Sequence, residues 1–106
     1  MKIYIVKKSA GDITGLKARC EYDTSAETVG GFIAEMVERN YAVNPIADTR
    51  ENCVRAAQDD FTDGGFYIVN VKTGCKYAAL DEHLNLSDGD EIALIKLKML
   101  RGIILW

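Results

Sequence analysis

Few residues in this chain of 106 could carry out chemistry, and they are widely spaced. His83 is the only histidine, and no serine nucleophile motif lies near it. A Ser/His or Cys/His pair would have to use this residue, because the nucleophile needs an adjacent base. The leucine-containing segment around His83 instead favours a structural histidine, at the surface or partly buried.

The cysteines do not follow a metal-binding pattern. Zinc sites usually need four ligands with paired spacing such as C-x₂-C, which is absent here. An iron–sulfur cluster of the plant type needs four cysteines, whereas the chain has three. We therefore expect no metal and no cofactor. Separated cysteines in odd number are typical of free thiols in a reducing cytoplasm, so we expect a cytoplasmic protein. They are Cys20, Cys53 and Cys75.

Two other kinds of ligand site are also disfavoured. Residues 59–64 read DDFTDG and resemble part of a calcium loop, but Phe61 occupies a ligand position and the closing glutamate is missing. Neither of the glycine-rich phosphate-binding motifs, G-x-G-x-x-G and G-x-x-x-x-G-K-[ST], occurs. No group of residues demands catalysis, and we expect that the protein is not an enzyme.

Composition points to one folded domain that neither binds nucleic acid nor inserts into a membrane. Hydrophobic residues make up 48% of the chain and charged residues 27%, with a single proline, which is typical of a globular domain. The net charge of −3, without a basic segment, does not favour a nucleic-acid partner. No apolar stretch approaches the roughly 20 residues needed to cross a bilayer, so we expect no membrane insertion.

Alternating and helical patterns predict the first half of the fold. Residues 1–8 and 16–22 alternate between apolar and polar positions, which predicts two strands joined as a hairpin. Thr24 to Glu27 reads TSAE, a capping box that predicts a helix start. The residues after it repeat at helical spacing: Val29, Phe32, Ile33, Met36 and Val37.

The second half contains three predicted strands. Residues 42–63 form a separate segment with a short helix from about 49 to 59. Strands are predicted at 66–72, 77–80 and 92–100. The order β-β-α-(α)-β-β-β predicts an α+β domain, in which pairing of the first and last strands would be parallel and the helix would be the crossover.

Two short motifs carry a family resemblance. Residues 86–92, LSDGDEI, resemble the leucine, turn and Gly-Asp-Glu-Val/Ile sequence that precedes the last strand of sulfur-carrier proteins. Residues 96–102, KLKMLRG, are similar to the Leu-Arg-Leu-Arg-Gly-Gly end of ubiquitin. With the element order, the chain resembles the ubiquitin-like β-grasp family. The resemblance implies a mixed sheet of about four to five strands with one main helix across it, a single domain at 1–102, an insertion at about 42–63 and an apolar tail at 103–106.

The resemblance implies two possible roles. The first is a ubiquitin-like module that binds a protein partner non-covalently through the open sheet face or a sheet edge. The alternative is a modifier or sulfur carrier activated at Gly102 after removal of the tail, with Arg101 beside the processing point. The chain departs from the family here, because Gly102 is followed by Ile-Ile-Leu-Trp and not by a second glycine. We therefore favour the binding module.

The faces of the last strand predict where a partner would bind. Ala93, Ile95, Leu97 and Met99 form a wholly apolar set that should face the helix. The other set should lie on the open side of the sheet together with residues of the first strand, unless the insertion or the tail covers it. The predicted interaction surface comprises Tyr4, Val6, Ile92, Leu94, Lys96, Lys98, Leu100 and Trp106.

The tail should be ordered, because burying Trp106 would contribute on the order of 2–3 kcal/mol. Three arrangements are open at this point: the tail extends the last strand, packs on its own sheet or docks into a second copy. The last arrangement makes a homodimer possible.

Overall fold

The computed structural model describes residues 1–9, 20–43 and 49–97, and these ranges contain five strands and two helices. Both helices come between the second and third strands. The predicted α+β class and the predicted order of elements are thereby confirmed. The elements are β1 (Lys2–Ser9), β2 (Cys20–Asp23), α1 (Val29–Val43), α2 (Arg50–Thr62), β3 (Phe66–Asn70), β4 (Cys75–Lys76) and β5 (Glu91–Lys96).

The strands form one mixed sheet in the order β2-β1-β5-β3-β4. β5 is central: it pairs in parallel with β1 and antiparallel with β3. Parallel strands cannot be joined by a tight turn. The connection between β1 and β5 therefore contains all the other elements, and the last strand closes the fold beside the first.

A single hydrophobic core lies between the helices and one face of the sheet. Each of the three central strands contributes alternate residues to it, as expected for strands with one covered face. The five predicted apolar positions of α1 are all buried, the most exposed being Met36 at 3%. The sheet contributes Ile3, Ile5, Phe66, Ile68, Ile92 and Leu94, and α2 contributes Cys53, Ala57 and Phe61.

Helix α1 begins later than the capping box predicts. Thr28 is the residue before the helix, and its Oγ1 accepts a hydrogen bond from the Gly31 amide at 3.2 Å. The Thr24 hydroxyl donates to Glu35 Oε1 at 2.6 Å and accepts from the Ala26 amide. The prediction of a helix start at Thr24 is wrong, because this side chain ties the end of β2 to the middle of α1.

Helix α2 confirms the short helix predicted within the segment 42–63. Thr49 caps it, and its Oγ1 accepts from the Asn52 amide at 3.1 Å. The helix ends at Thr62, three residues beyond the predicted end at 59. The Asp63 amide still donates to the Asp59 carbonyl, so the helical bonding continues to the turn.

The turn after β3 and the return strand also differ from the prediction. Asn70 Oδ1 accepts hydrogen bonds from the amides of Lys72 and Thr73, which ends β3 at Asn70 rather than at 72. β4 consequently comes at Cys75–Lys76, two residues before the predicted strand at 77–80. Tyr77 turns inward, and its hydroxyl donates to the Leu84 carbonyl at 2.6 Å.

A buried carboxylate organises the turn before β5. Asp90 is 5% exposed, and its Oδ2 accepts from the Ser87 amide at 2.9 Å and from Asn70 Nδ2 at 3.4 Å. Gly89 has a φ of +86°, which favours glycine, and its amide donates to the Lys2 carbonyl. These bonds link the turn to β1 and to the end of β3, and thereby set the register of β5.

The start of α1 docks against the segment 80–84. The Gly30 amide donates to the Leu80 carbonyl at 2.7 Å, and the Val29 amide donates to the Glu82 carbonyl at 3.0 Å. Backbone carbonyls thus satisfy free amides at the helix start. A Cβ at position 30 would lie 3.1 Å from that Leu80 oxygen.

We expect Gly30→Ala to lower the free energy of unfolding by about 1 kcal/mol, because the overpacking cost exceeds the gain in helix propensity. The control is Gly31→Ala, where a Cβ would lie 3.2 Å from Thr28 Oγ1, a side-chain atom rather than a backbone carbonyl, and 3.9 Å from the Ala26 methyl. Urea unfolding of both variants measures the difference. Equal stability of the two variants would contradict this account of the contact with Leu80.

Candidate interaction surface

The sheet has a second face, opposite the helices, which we call the open face. Ile3, Ile5 and the other alternate residues point into the core, so the residues between them point the other way. Among the described residues, neither helix contributes to this side. The open face consists of Tyr4 and Val6 from β1, Tyr67 and Val69 from β3, and Ala93 and Ile95 from β5.

Strand register brings these side chains into contiguous rows. Ala93 lies opposite Val6 on one side and opposite Val69 on the other. Ile95 lies opposite Tyr67 in the next row. Directly paired residues on one face have Cβ atoms about 5 Å apart, close enough for side-chain contact. Three strands thereby build one apolar strip.

Exposure varies strongly across the open face. Val6 is only 8% exposed and Ala93 5%, although both lie on the side without a described helix. The other four residues are half-buried. Beyond the strip, Leu97 follows β5 at 38% exposure and Val71 follows β3 at 49%. The middle of the strip is therefore the best protected part, and its ends are accessible.

Charged residues of both signs border the strip. Lys76 Nζ lies 3.6 Å from the centroid of the Tyr67 ring, a cation–π contact across β3 and β4. Lys2 Nζ lies 3.7 Å from Glu21 Oε2 on the β1–β2 side, and both side chains are largely exposed. An apolar centre with a charged rim is the usual composition of a protein contact surface.

The structure corrects the predicted faces of the last strand. Ile92 and Leu94 are fully buried in the core, so they belong to the covered side. Lys96 follows them on that side and is half-buried. Tyr4 and Val6 do lie on the open face. Of the remaining predicted residues, Lys98, Leu100 and Trp106 of the surface and Arg101 and Gly102 of the processing point lie outside the described residues.

The error has a physical origin, because β5 is apolar on both faces and its alternation alone cannot say which face is covered. The parallel pairing provides the missing information: Ile5 lies opposite Ile92, which places both in one layer. Sequence reasoning missed four residues of the open face. They are Tyr67, Val69, Ala93 and Ile95.

Residues considered for chemistry remain dispersed. Cys20 and Cys75 are exposed, Cys53 is buried, and all three are free thiols. Within the described ranges, no three His, Cys, Asp or Glu side chains come together as a metal site would require. A cleft of about 450 Å³ lies beside His83, whose backbone bridges to Thr28.

A polar cluster joins β2 to α1 on the covered side. The Arg39 guanidinium lies 4.3 Å from the centroid of the Tyr22 ring and 3.9 Å from Glu35 Oε2. The Tyr22 hydroxyl is buried and finds no hydrogen-bond partner among the described residues. Burial, and then the negative charge of Glu35, raise the pKa of Tyr22 above its ordinary value of 10.0.

Tyr22 and Tyr77 provide a matched pair of variants. Tyr22→Phe should change the free energy of unfolding at neutral pH by less than about 0.5 kcal/mol, because no hydrogen bond is lost. Tyr77→Phe should lower it by about 1–2 kcal/mol, because the Leu84 carbonyl loses its donor. Urea unfolding of both variants measures these values. A larger loss for Tyr22→Phe than for Tyr77→Phe would contradict the assignment of a hydrogen bond to the Tyr77 hydroxyl and none to the Tyr22 hydroxyl.

The free energy of unfolding of Tyr22→Phe should also depend less on alkaline pH than that of the unsubstituted chain. Urea unfolding at a series of pH values measures this difference. The raised pKa means that folded Tyr22 keeps its proton above pH 10.0, where an unfolded tyrosine loses it. The contribution of protonated Tyr22 to the free energy of unfolding is therefore fully present below pH 10.0, and it is lost as the pH rises further. Tyr22→Phe should reduce this fall without removing it, because burial also raises the pKa of Tyr77.

Comparison with known proteins provides no identification. The chain matches no protein family, no curated protein and no solved structure. Neither helix of the described part is long and apolar enough to span a membrane.

Proposed function

We propose that this chain is a ubiquitin-like β-grasp domain that binds another protein non-covalently through the open face. The sheet order, the central β5 and its parallel pairing with β1 support the β-grasp assignment. The crossing helix α1 supports it as well. Helix α2 is then the insertion within residues 42–63.

The observation that carries the binding role is the apolar strip across β1, β5 and β3. Tyr4, Tyr67, Val69 and Ile95 keep part of their surface exposed around the buried Val6 and Ala93, and exposed apolar surface on a sheet face often marks an interaction site. The half-buried Tyr67 is a suitable anchor, because aromatic residues dominate binding energy in many protein interfaces. The charged rim of Lys2, Glu21 and Lys76 would give orientation rather than most of the affinity.

The test is to isolate a partner and then measure its dissociation constant with purified proteins. Tyr67→Ala and Ile95→Lys should each weaken binding at least about tenfold, the loss of roughly 1.4 kcal/mol that central interface residues commonly exceed. Val43→Lys is the control, because Val43 is 86% exposed at the end of α1, away from the sheet. A partner whose affinity changes only with Val43→Lys would contradict the proposal.

A modifier or sulfur carrier is the second candidate. The observation that favours it is the turn before β5, in which the motif residues Gly89 and Asp90 adopt a defined, hydrogen-bonded geometry. In that role, Gly102 would carry the activated carboxylate after removal of residues 103–106. Gly102 lies outside the described residues. The chain has Ile103 at the next position, where the family has a second glycine.

Intact mass measurement after incubation with an adenylating enzyme and ATP tests this role. The sample is the chain truncated after Gly102. A modifier should gain an adenylate on that carboxylate with release of pyrophosphate, and an added sulfide donor should convert the adenylate to a thiocarboxylate with release of AMP. Gly102→Ala is the control and should reduce the modified fraction. A truncated chain that stays unmodified would contradict this second role.

A further inference from the structure

We propose that the partner presents a carboxylate beside an apolar side chain, and that this carboxylate binds the Lys76 ammonium at the β4 end of the open face. The inference rests on the proposed function, because it names the chemistry of the protein that binds there. Lys76 is then the residue that selects an acidic segment of another protein over a neutral or basic one.

Lys76 projects from the edge strand β4 beside the apolar strip. In the register of β3 and β4 it lies opposite Val69, and Tyr67 is the next open-face residue along β3. Its Nζ lies 3.6 Å from the centroid of the Tyr67 ring. The face of an aromatic ring attracts an ammonium group, so this contact holds the charge next to the strip.

The ammonium of Lys76 has no carboxylate partner among the described residues. Two other lysines near the open face lie in ion pairs. Lys2 Nζ lies 3.7 Å from Glu21 Oε2, and Lys72 Nζ lies 3.7 Å from Asp90 Oδ1. Of these three lysines, Lys76 is therefore the one whose charge is left for a partner to neutralise.

The two ends of the open face differ in charge. At the β2 end, Tyr4 has a carboxylate on either side, since the register places it opposite Glu21 and opposite Glu91. At the β4 end, Lys76 is the charged residue in register with the strip. A partner that lies across the strip meets positive charge next to Tyr67 and negative charge next to Tyr4. Charge complementarity places its acidic residue at the β4 end.

The apolar strip decides what must accompany the carboxylate. An ion pair in open water contributes little, because water screens both charges. Apolar groups of the partner that pack on Tyr67 and Val69 exclude that water, and a shielded charge-assisted hydrogen bond is stronger. The site therefore selects a carboxylate next to an apolar side chain and not a purely acidic segment.

Selection from a phage-displayed library of random peptides on the immobilised full chain tests this chemistry without a known partner. The selected peptides should carry an aspartate or glutamate next to an aromatic or branched aliphatic residue. Their affinity should fall severalfold as the salt concentration is raised, since salt screens the ion pair. A set of peptides without acidic enrichment, or a library that yields no binding peptide, would overturn the inference.

Reversal of the charge at position 76 locates the contact. Lys76→Glu should weaken binding of a selected peptide at least about tenfold. A peptide whose acidic residue is replaced by lysine should bind Lys76→Glu more tightly than it binds the unsubstituted chain. Arg55→Glu has the same net charge on the exposed side of α2 and should leave both dissociation constants unchanged. Failure of the charge swap would count against the proposed ion pair.

Lys76→Met removes the charge and keeps an apolar stem of similar length. It should weaken binding of the selected peptides and remove most of the dependence on salt. Far-UV circular dichroism and thermal melting establish that the variants are folded, and Lys76→Met provides the test if Lys76→Glu does not fold. An unchanged affinity would exclude a role for the ammonium group.

Tyr67→Ala separates failure of this inference from failure of the proposed function. Peptides that lose affinity with Tyr67→Ala but with neither Lys76 variant bind the open face without the ion pair, which overturns this inference alone. Peptides that respond only to the Lys76 variants would exclude the apolar part of the site. Peptides that none of these variants affects bind elsewhere, and they would contradict both the inference and the proposed function.

Discussion

The parallel pairing of β1 with β5 is the constraint on which the rest of the molecule depends. It brings residues from the two ends of the described chain into the centre of one sheet, so the core cannot close before β5 is in place. The side chains facing the helices then form a single layer, in which Ile5 and Ile92 are direct neighbours. Contacts so distant in sequence are costly in chain entropy and must be repaid by burial.

Hydrogen bonds at the ends of the elements keep that pairing in register. The carboxylate of Asp90 holds the turn before β5 and reaches the side chain of Asn70 at the end of β3. Thr24 and Glu35 make a similar link between β2 and α1 on the other side of the sheet. Asp90 and Asn70 are buried, and a one-residue slip of β5 would separate their side chains.

The apolar character of both faces of β5 connects the fold to the proposed role. One face fills the core with Ile92 and Leu94, as a central strand must. The other face carries Ala93 and Ile95, which a strand with one solvated face would usually replace by polar residues. An apolar second face needs a cover, and the proposed cover is a protein partner.

The sequence by itself determined which segments become strands and helices, the α+β class and the apolar stripe of α1, because these follow from local periodicity. It misplaced the start of α1 and the return strand, since Thr24 and Asn70 use their side chains for contacts distant from a simple cap or strand. Only the tertiary structure decided which face of β5 is covered. The reason is that Ile92/Leu94 and Ala93/Ile95 are equally apolar, and only their pairing with Ile5 and Val6 of β1 assigns them to the core or to the open face.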